Sequence, residues 1–146
     1  MATKPKIIPD VVRDQTLVSL GPDASAREAA ELMAAKRIGA VMVIEDERLV
    51  GIFTERDVIA RVVAKGLNAC STTLREAMTP DPDTLSPHDQ ARDALDLMVR
   101  KGYRHLPVVD AESRPLAMVS IRDLYGLVVE RLENGIVKMA ERLMLG

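Results

Sequence analysis

The chain has 146 residues, 47% hydrophobic and 29% charged, with a formal net charge of −2. This composition is typical of a globular protein with one domain or two very small ones, and no apolar run is long enough to cross a bilayer. The acidic balance and the presence of one Phe, two Tyr and no Trp disfavour nucleic-acid binding, which uses basic patches and stacking platforms. The single cysteine forms no internal disulfide, and the start of the chain lacks the apolar segment of a secretory signal, so we expect a cytoplasmic protein.

The first predicted elements are a short extended segment over residues 16–20 and a helix that begins after Ser25. The letters SARE form a capping box, in which Ser25 accepts a backbone hydrogen bond and Glu28 reaches back. The helix carries small apolar residues at i, i+3, i+4 and i+7, which are Ala26, Ala29, Ala30 and Met33. Two strands with the sequences AVMVIE and LVGIFT follow, and a second helix ends near Gly66.

The same pattern then occurs a second time. A proline-rich connection contains the capping box TLRE, from Thr73, which predicts one helical turn. Met98 corresponds to Met33, an offset of 65 residues, and Ser120 corresponds to Thr54, an offset of 66. The second helix-and-strand set comprises a helix ended by Gly102, the strands HLPVVD and PLAMVS, and a final helix from residue 121 onward.

The repeat predicts the architecture. Each β-α-β-β-α unit has roughly 55 residues, which is too small to bury a good core alone. We therefore expect a mixed α/β (α+β) fold in which the two units pack sheet to sheet about a pseudo-twofold axis. The predicted boundaries are 10–68 for the first unit, 69–130 for the second unit with its linker, and 131–146 for an amphipathic tail.

These motifs resemble a known family. The letters GIFTERD and MVSIRD at the last strand-helix junction of each copy, with YRHLPVVD in the second, are similar to a CBS-domain pair, or Bateman module, over about residues 10 to 130. The chain resembles the small stand-alone CBS proteins of prokaryotes. The resemblance implies two clefts between the repeats that hold AMP, ADP, ATP or S-adenosylmethionine. It also implies a homodimer and a downstream protein partner that reads the bound state.

The junctions share a hydroxyl followed three residues later by an aspartate. The first N–H groups of a helix lack internal partners and attract anions, so the hydroxyls of Thr54 and Ser120 could join them around a phosphate. Asp57 and Asp123 could accept both hydroxyls of a ribose. The same letters also fit a capping box with no ligand, and both interpretations stay open. Candidate phosphate partners beside the aspartates are Arg56 and Arg122.

By resemblance, each cleft combines the junction of one copy with main-chain groups of the other. The first site would comprise Thr54, Asp57, Thr84, Tyr103, Arg104 and His105. The second would comprise Ser120, Asp123, Ser19, Ile38, Gly39 and Ala40.

The two copies differ in charge and in size near these sites. Arg104 and His105 could bring positive charge to a phosphate, although a surface arginine and a strand histidine bonded to a carbonyl are alternatives. The positive charge of Arg104 and His105 predicts that the Thr54 cleft binds the more highly charged ligand. Ala117 stands where the first copy has Gly51, and its methyl group predicts a more crowded second cleft.

The tail carries a one-sided apolar face, formed by Val128, Leu132, Ile136, Met139 and Leu143. Packing on its own module, a dimer contact and a separate partner are the alternatives. The face is too short, and its polar side too acidic, for a membrane anchor.

The leading functional hypothesis is a non-enzymatic regulatory sensor of adenosine nucleotides with no obligatory cofactor. The alternative is a constitutive dimerisation or scaffold domain without a ligand. An enzyme is disfavoured, because two histidines and one cysteine provide neither a nucleophile beside a base nor the spacing of a metal site.

Overall fold

The chain folds as two tandem repeats of strands and helices, as predicted. The computed structural model describes residues 4–145. The elements of the first repeat are β1 (Ser19–Leu20), α1 (Ala26–Lys36), β2 (Ala40–Glu45), β3 (Arg48–Thr54) and α2 (Glu55–Asp57), which continues as a wider helical segment, Val58–Val63. The linker and the second repeat contain α3 (Leu74–Ala77), β4 (Thr79–Pro80), α4 (Ala91–Lys101), β5 (His105–Val109), β6 (Pro115–Ser120) and α5 (Ile121–Leu145).

Each repeat is built on one antiparallel strand pair. In the first, β2 pairs with β3, with Ala40 opposite Thr54, and β1 adds a parallel strand beside β2. β4 adds a fourth strand, antiparallel to β3. In the second repeat, β5 pairs with β6, with His105 opposite Ser120. Before α4, the second repeat contributes a single parallel bridge, from Leu85 to Val108.

The helix ends follow the sequence signals. The Ser25 hydroxyl accepts a hydrogen bond from the Glu28 amide at 3.0 Å, and the Thr73 hydroxyl accepts one from the Glu76 amide at 3.3 Å. Gly102 ends α4 with a φ of 73°, in the left-handed region that glycine enters without steric cost. The matching position in the first repeat is Arg37, which adopts the same conformation with a φ of 55°.

The segment that precedes each repeat packs on the other repeat. A short turn, Ile7–Val11, lies against the second repeat, where the Ile7 amide donates to the Asp89 carbonyl at 2.8 Å. The linker makes the equivalent bond in the first repeat, from the Leu74 amide to the Ala24 carbonyl, also at 2.8 Å. Ile7 and Leu74 are both fully buried, so each repeat completes its core with a segment from outside its own helix-and-strand unit.

The last helix extends beyond the packed body. Leu124 is its buried anchor, but every residue from 128 to 145 is exposed. The apolar face predicted for the tail is present and does not pack on its own module. Within residues 4–145, no helix combines the length and apolar character needed to cross a membrane.

Candidate functional site

Both predicted junctions form capping boxes. At the first, the Thr54 hydroxyl accepts from the Asp57 amide at 3.2 Å, and Asp57 Oδ2 accepts from the Thr54 amide at 2.9 Å. At the second, the corresponding distances for Ser120 and Asp123 are 3.3 and 2.8 Å. The capping interpretation is therefore confirmed at both junctions, and a ligand site requires further features.

Those features occur at the second junction, where a cleft of about 470 Å³ lies between the repeats. This volume is within the range of small-molecule sites. The second repeat lines the cleft with Ser120, Arg122 and Asp123 at the start of α5, and with Arg104 and His105 at the start of β5. The first repeat contributes the main-chain turn Ile38, Gly39 and Ala40. Of the residues predicted for this site, all but Ser19 line the cleft.

The residues predicted for the other junction make contacts other than those expected. Arg104 and His105 line the Ser120 cleft instead. Tyr103 donates its hydroxyl to Asp83 at 2.8 Å, and Thr84 is exposed. Arg56 donates to the carbonyl of Gly102 at 3.3 Å.

At the first junction, both carboxylate oxygens of Asp57 contact other residues of the chain. Asp57 is only 7% exposed, and its Oδ1 accepts from the Thr79 hydroxyl at 3.2 Å and lies 3.3 Å from Arg61 Nε. Asp123 is half-buried, and no hydrogen bond or ion pair within residues 4–145 uses its Oδ1. The geometry thus gives the opposite ranking of the two clefts from the one that charge and Ala117 suggested.

His105 lies at the centre of the cleft wall. A Cβ atom on Gly39 would lie only 3.0 Å from His105 Cε1, so the absence of a side chain at this position allows the imidazole to approach the turn. Burial lowers the pKa of His105, the nearby carboxylates of Glu55 and Asp123 oppose this effect, and Arg104 adds to it. The folded protein therefore favours a neutral imidazole.

We expect this burial to make stability depend on pH. Because the pKa of His105 is lower in the folded chain than in the unfolded one, its contribution is complete above the ordinary histidine value of about 6.5 and is lost as the pH falls below it. Urea midpoints measured between pH 8 and pH 5 should fall more steeply for the wild type than for His105→Gln. Parallel curves would contradict the assignment.

Sequence reasoning missed several cleft residues. They are Gln15, Thr16, Val18, Arg37, Glu55, Met118 and Ile121. Thr16 and Val18 lie within the predicted extended segment over residues 16–20, and Arg37 precedes the predicted turn at residues 38–40, so proximity to these predictions was a usable signal for them. No sequence signal pointed to Gln15. Its side-chain amide donates to the Met118 carbonyl at 2.9 Å and accepts from the Met118 amide at 2.6 Å, across 103 residues of sequence.

The donor set around the cleft does not suggest a metal centre. Across residues 4–145, no group of three or more His, Cys, Asp or Glu side chains is arranged to hold a metal ion. The charged groups of the lining are instead three arginines and two acids, Glu55 and Asp123, a set that fits an anionic ligand with hydroxyl groups.

Two facing repeats with a cleft at a strand-helix junction define a paired-repeat module. A family model described as CBS domain matches residues 9–64 and again residues 74–130. The chain belongs to the CBS-domain family and contains two such domains in tandem.

Relatives share the fold and part of the sequence. A 17.7 kDa protein of Acidianus ambivalens is 34% identical over 104 residues, which cover 70% of this chain and 62% of the relative. The chain spans only 22% of the length of a CBS domain-containing protein of Arabidopsis thaliana.

Two similar solved structures contain AMP. A CBS domain protein from Pyrobaculum aerophilum complexed with AMP is 28% identical, with a TM-score of 0.73, over 82% of this chain and 93% of that one. The Arabidopsis protein CBSX2 in complex with AMP is 25% identical, with a TM-score of 0.69, over 80% of this chain and 90% of that one.

Proposed function

We propose that this chain is a regulatory module that binds an adenosine nucleotide in the Ser120/Asp123 cleft, and that it performs no chemical step itself. The observation that carries the proposal is the half-buried Asp123, which lines a cleft between the repeats and whose Oδ1 has no hydrogen-bond or ion-pair partner within residues 4–145. Relatives of the same fold are described in complex with AMP.

The cleft offers a matching group for each part of a nucleotide. Asp123 Oδ1 has two lone pairs for the two ribose hydroxyls. For a phosphate, the start of α5 provides the positive end of the helix dipole and Arg122 provides a guanidinium. Residues 38–40 of the first repeat line the same cleft, and the base would lie against this turn.

The charge of the cleft favours anionic ligands. Three arginines, Arg37, Arg104 and Arg122, outnumber the two acids, Glu55 and Asp123. AMP, ADP and ATP complement this excess, whereas the sulfonium of S-adenosylmethionine adds a positive charge to it. We therefore rank the nucleotides above S-adenosylmethionine.

The experiment is a calorimetric titration of the purified chain with AMP, ADP, ATP, S-adenosylmethionine and, as a matched base control, GMP. Binding of AMP with a rise in melting temperature supports the proposal, since a ligand at a hundred times its Kd stabilises the folded state by about 2.7 kcal/mol. No heat and no thermal shift with any adenosine compound would refute it. The proposal places the chain in the cytoplasm, where these nucleotides are available.

We further propose that two chains form a homodimer through the exposed face of α5. Apolar side chains recur along this helix at spacings of four, three and four residues: Ile121, Tyr125, Val128, Leu132, Ile136, Met139 and Leu143. Such a stripe is typical of helix–helix packing, and its members from Tyr125 onward are between 42% and 79% exposed. Nucleotide binding at the start of α5 would then reach the dimer, and a downstream partner, through the same helix.

Ile136→Glu should convert the dimer to a monomer, because a buried carboxylate in the centre of the stripe lacks a counter-charge. Val137→Glu is the matched control: Val137 is also exposed, at 54%, but points away from the stripe. Light scattering after gel filtration measures both. A monomeric wild type would refute the homodimer and leave the scaffold alternative without support. If the two variants had the same oligomeric state, the dimer interface would not lie on this stripe.

A further inference from the structure

The two junctions share a capping geometry but differ in what surrounds the aspartate. At the first, Oδ2 of Asp57 serves the cap and Oδ1 is shared by the Thr79 hydroxyl and Arg61. At the second, Oδ2 of Asp123 serves the cap, with the Ser120 amide at 2.8 Å and hydroxyl at 3.0 Å. A ribose would bind the carboxylate oxygen that the helix cap does not use, which is Oδ1 in both junctions. At Asp57 the ribose would have to displace Thr79 or Arg61 from this oxygen, whereas at Asp123 it would displace neither.

The difference comes from residues outside the repeated motif. The residue that corresponds to Arg61 in the second repeat, 66 positions later, is Leu127, which carries no charge. Thr79 belongs to β4, which pairs with β3 so that Thr79 lies opposite Ile52. In the second repeat, the equivalent position on β6 is Met118, whose main chain bonds the Gln15 side chain rather than a strand. Within residues 4–145, no hydroxyl from that side of β6 donates to Asp123.

A second contact fills the space beside the first junction. Met78 packs directly on Gly51, where a Cβ atom would overlap its sulfur. Arg61 also donates to the Met78 carbonyl, at 3.2 Å, and so ties Asp57 to the linker. Gly51 therefore makes room for a side chain of the protein, while Ala117, its counterpart, is buried at 2% exposure in the second core and does not line the other cleft.

We infer that Arg61, Thr79 and Met78 close the first junction, so that each chain binds a single nucleotide, at the Ser120/Asp123 cleft. This inference rests on the proposed function for its ligand. In the closed junction, Asp57 of the first repeat contacts the linker. The second repeat is then the one that responds to the nucleotide.

The stoichiometry of AMP binding tests the inference. Calorimetry of the full chain should give one AMP per chain in the wild type, and Asp123→Asn should weaken binding at that single site. Two AMP per chain, or an affinity for AMP that is unchanged in Asp123→Asn, would overturn it.

A stability cycle tests the closure without a ligand. Urea midpoints are measured for the wild type, Asp57→Asn, Arg61→Leu and the double variant; leucine is chosen because it is the residue of the second repeat at that position. Each single variant should lower the midpoint, and the double variant should lower it by less than the sum, because the two changes remove the same contact. Additive shifts would overturn the inference.

If the wild type binds no AMP, the proposed function fails while this cycle still decides whether the junction is closed. If Asp57→Asn does not fold, Thr79→Val and Arg61→Leu are measured singly, and a midpoint left unchanged by both would overturn the inference.

Discussion

Asp123→Asn should weaken AMP binding by on the order of ten- to a hundredfold, because hydrogen bonds to a charged group contribute about 1.5–3 kcal/mol and the amide loses the charge that strengthens them. The substitution preserves the size of the side chain and leaves one oxygen to accept from the Ser120 amide, which now bonds Asp123 Oδ2 at 2.8 Å. The helix cap is thus largely retained, and the loss should appear in affinity. Calorimetry with AMP measures it.

The matched control is Asp93→Asn. Asp93 holds the same position in the capping box of α4, where it accepts from the Gln90 amide at 3.4 Å, but it is exposed and lines no part of the cleft. It should change stability slightly and leave affinity for AMP unchanged. Equal loss of affinity in both variants would mean that Asp123 acts through its helix cap and does not contact the ligand.

Ile7→Ala should destabilise the fold by about 2–5 kcal/mol, the range for removing most of a fully buried aliphatic side chain. Ile7 is 0% exposed and packs in the core of the second repeat, although it lies some eighty residues earlier than the residues around it. Its loss leaves a cavity between that segment and α4. Urea denaturation followed by circular dichroism measures the change.

Val99→Ala is the control on the same helix. Val99 is 71% exposed on the outer face of α4, and surface substitutions of this kind usually stay within about 0.5 kcal/mol. A similar small effect for Ile7→Ala would show that the segment before the first repeat does not contribute to the second core.

The contrast between Gly51 and Ala117 shows where motif reasoning was incomplete. The expectation that a methyl group would crowd the second cleft assumed that glycine at this position serves a ligand. In the structure, the space above Gly51 holds Met78, a residue of the linker. Because the linker is not part of the repeat, alignment of the two copies gave no sign of it.

Local signals were sufficient for the repeat and its helix boundaries. A capping hydroxyl and its partner amide are three residues apart, and a helix stripe repeats within two turns, so both can be recognised along the chain. The duplicated β-α-β-β-α pattern, the caps at Ser25 and Thr73, the left-handed end at Gly102 and the amphipathic tail were all evident in this way. The resemblance to the CBS family placed the candidate ligand residues at the junctions.

The tertiary structure alone decided which junction is open. Asp57 is occupied by Thr79, 22 residues away, and the edge of β6 is covered by Gln15, 103 residues away. Such contacts depend on how the linker and the N-terminal segment cross between the repeats, and no periodicity in the sequence encodes that crossing. The sequence by itself determined two similar junctions, because each is built from neighbouring residues; the packing of distant segments made one a closed contact and left the other an accessible cleft.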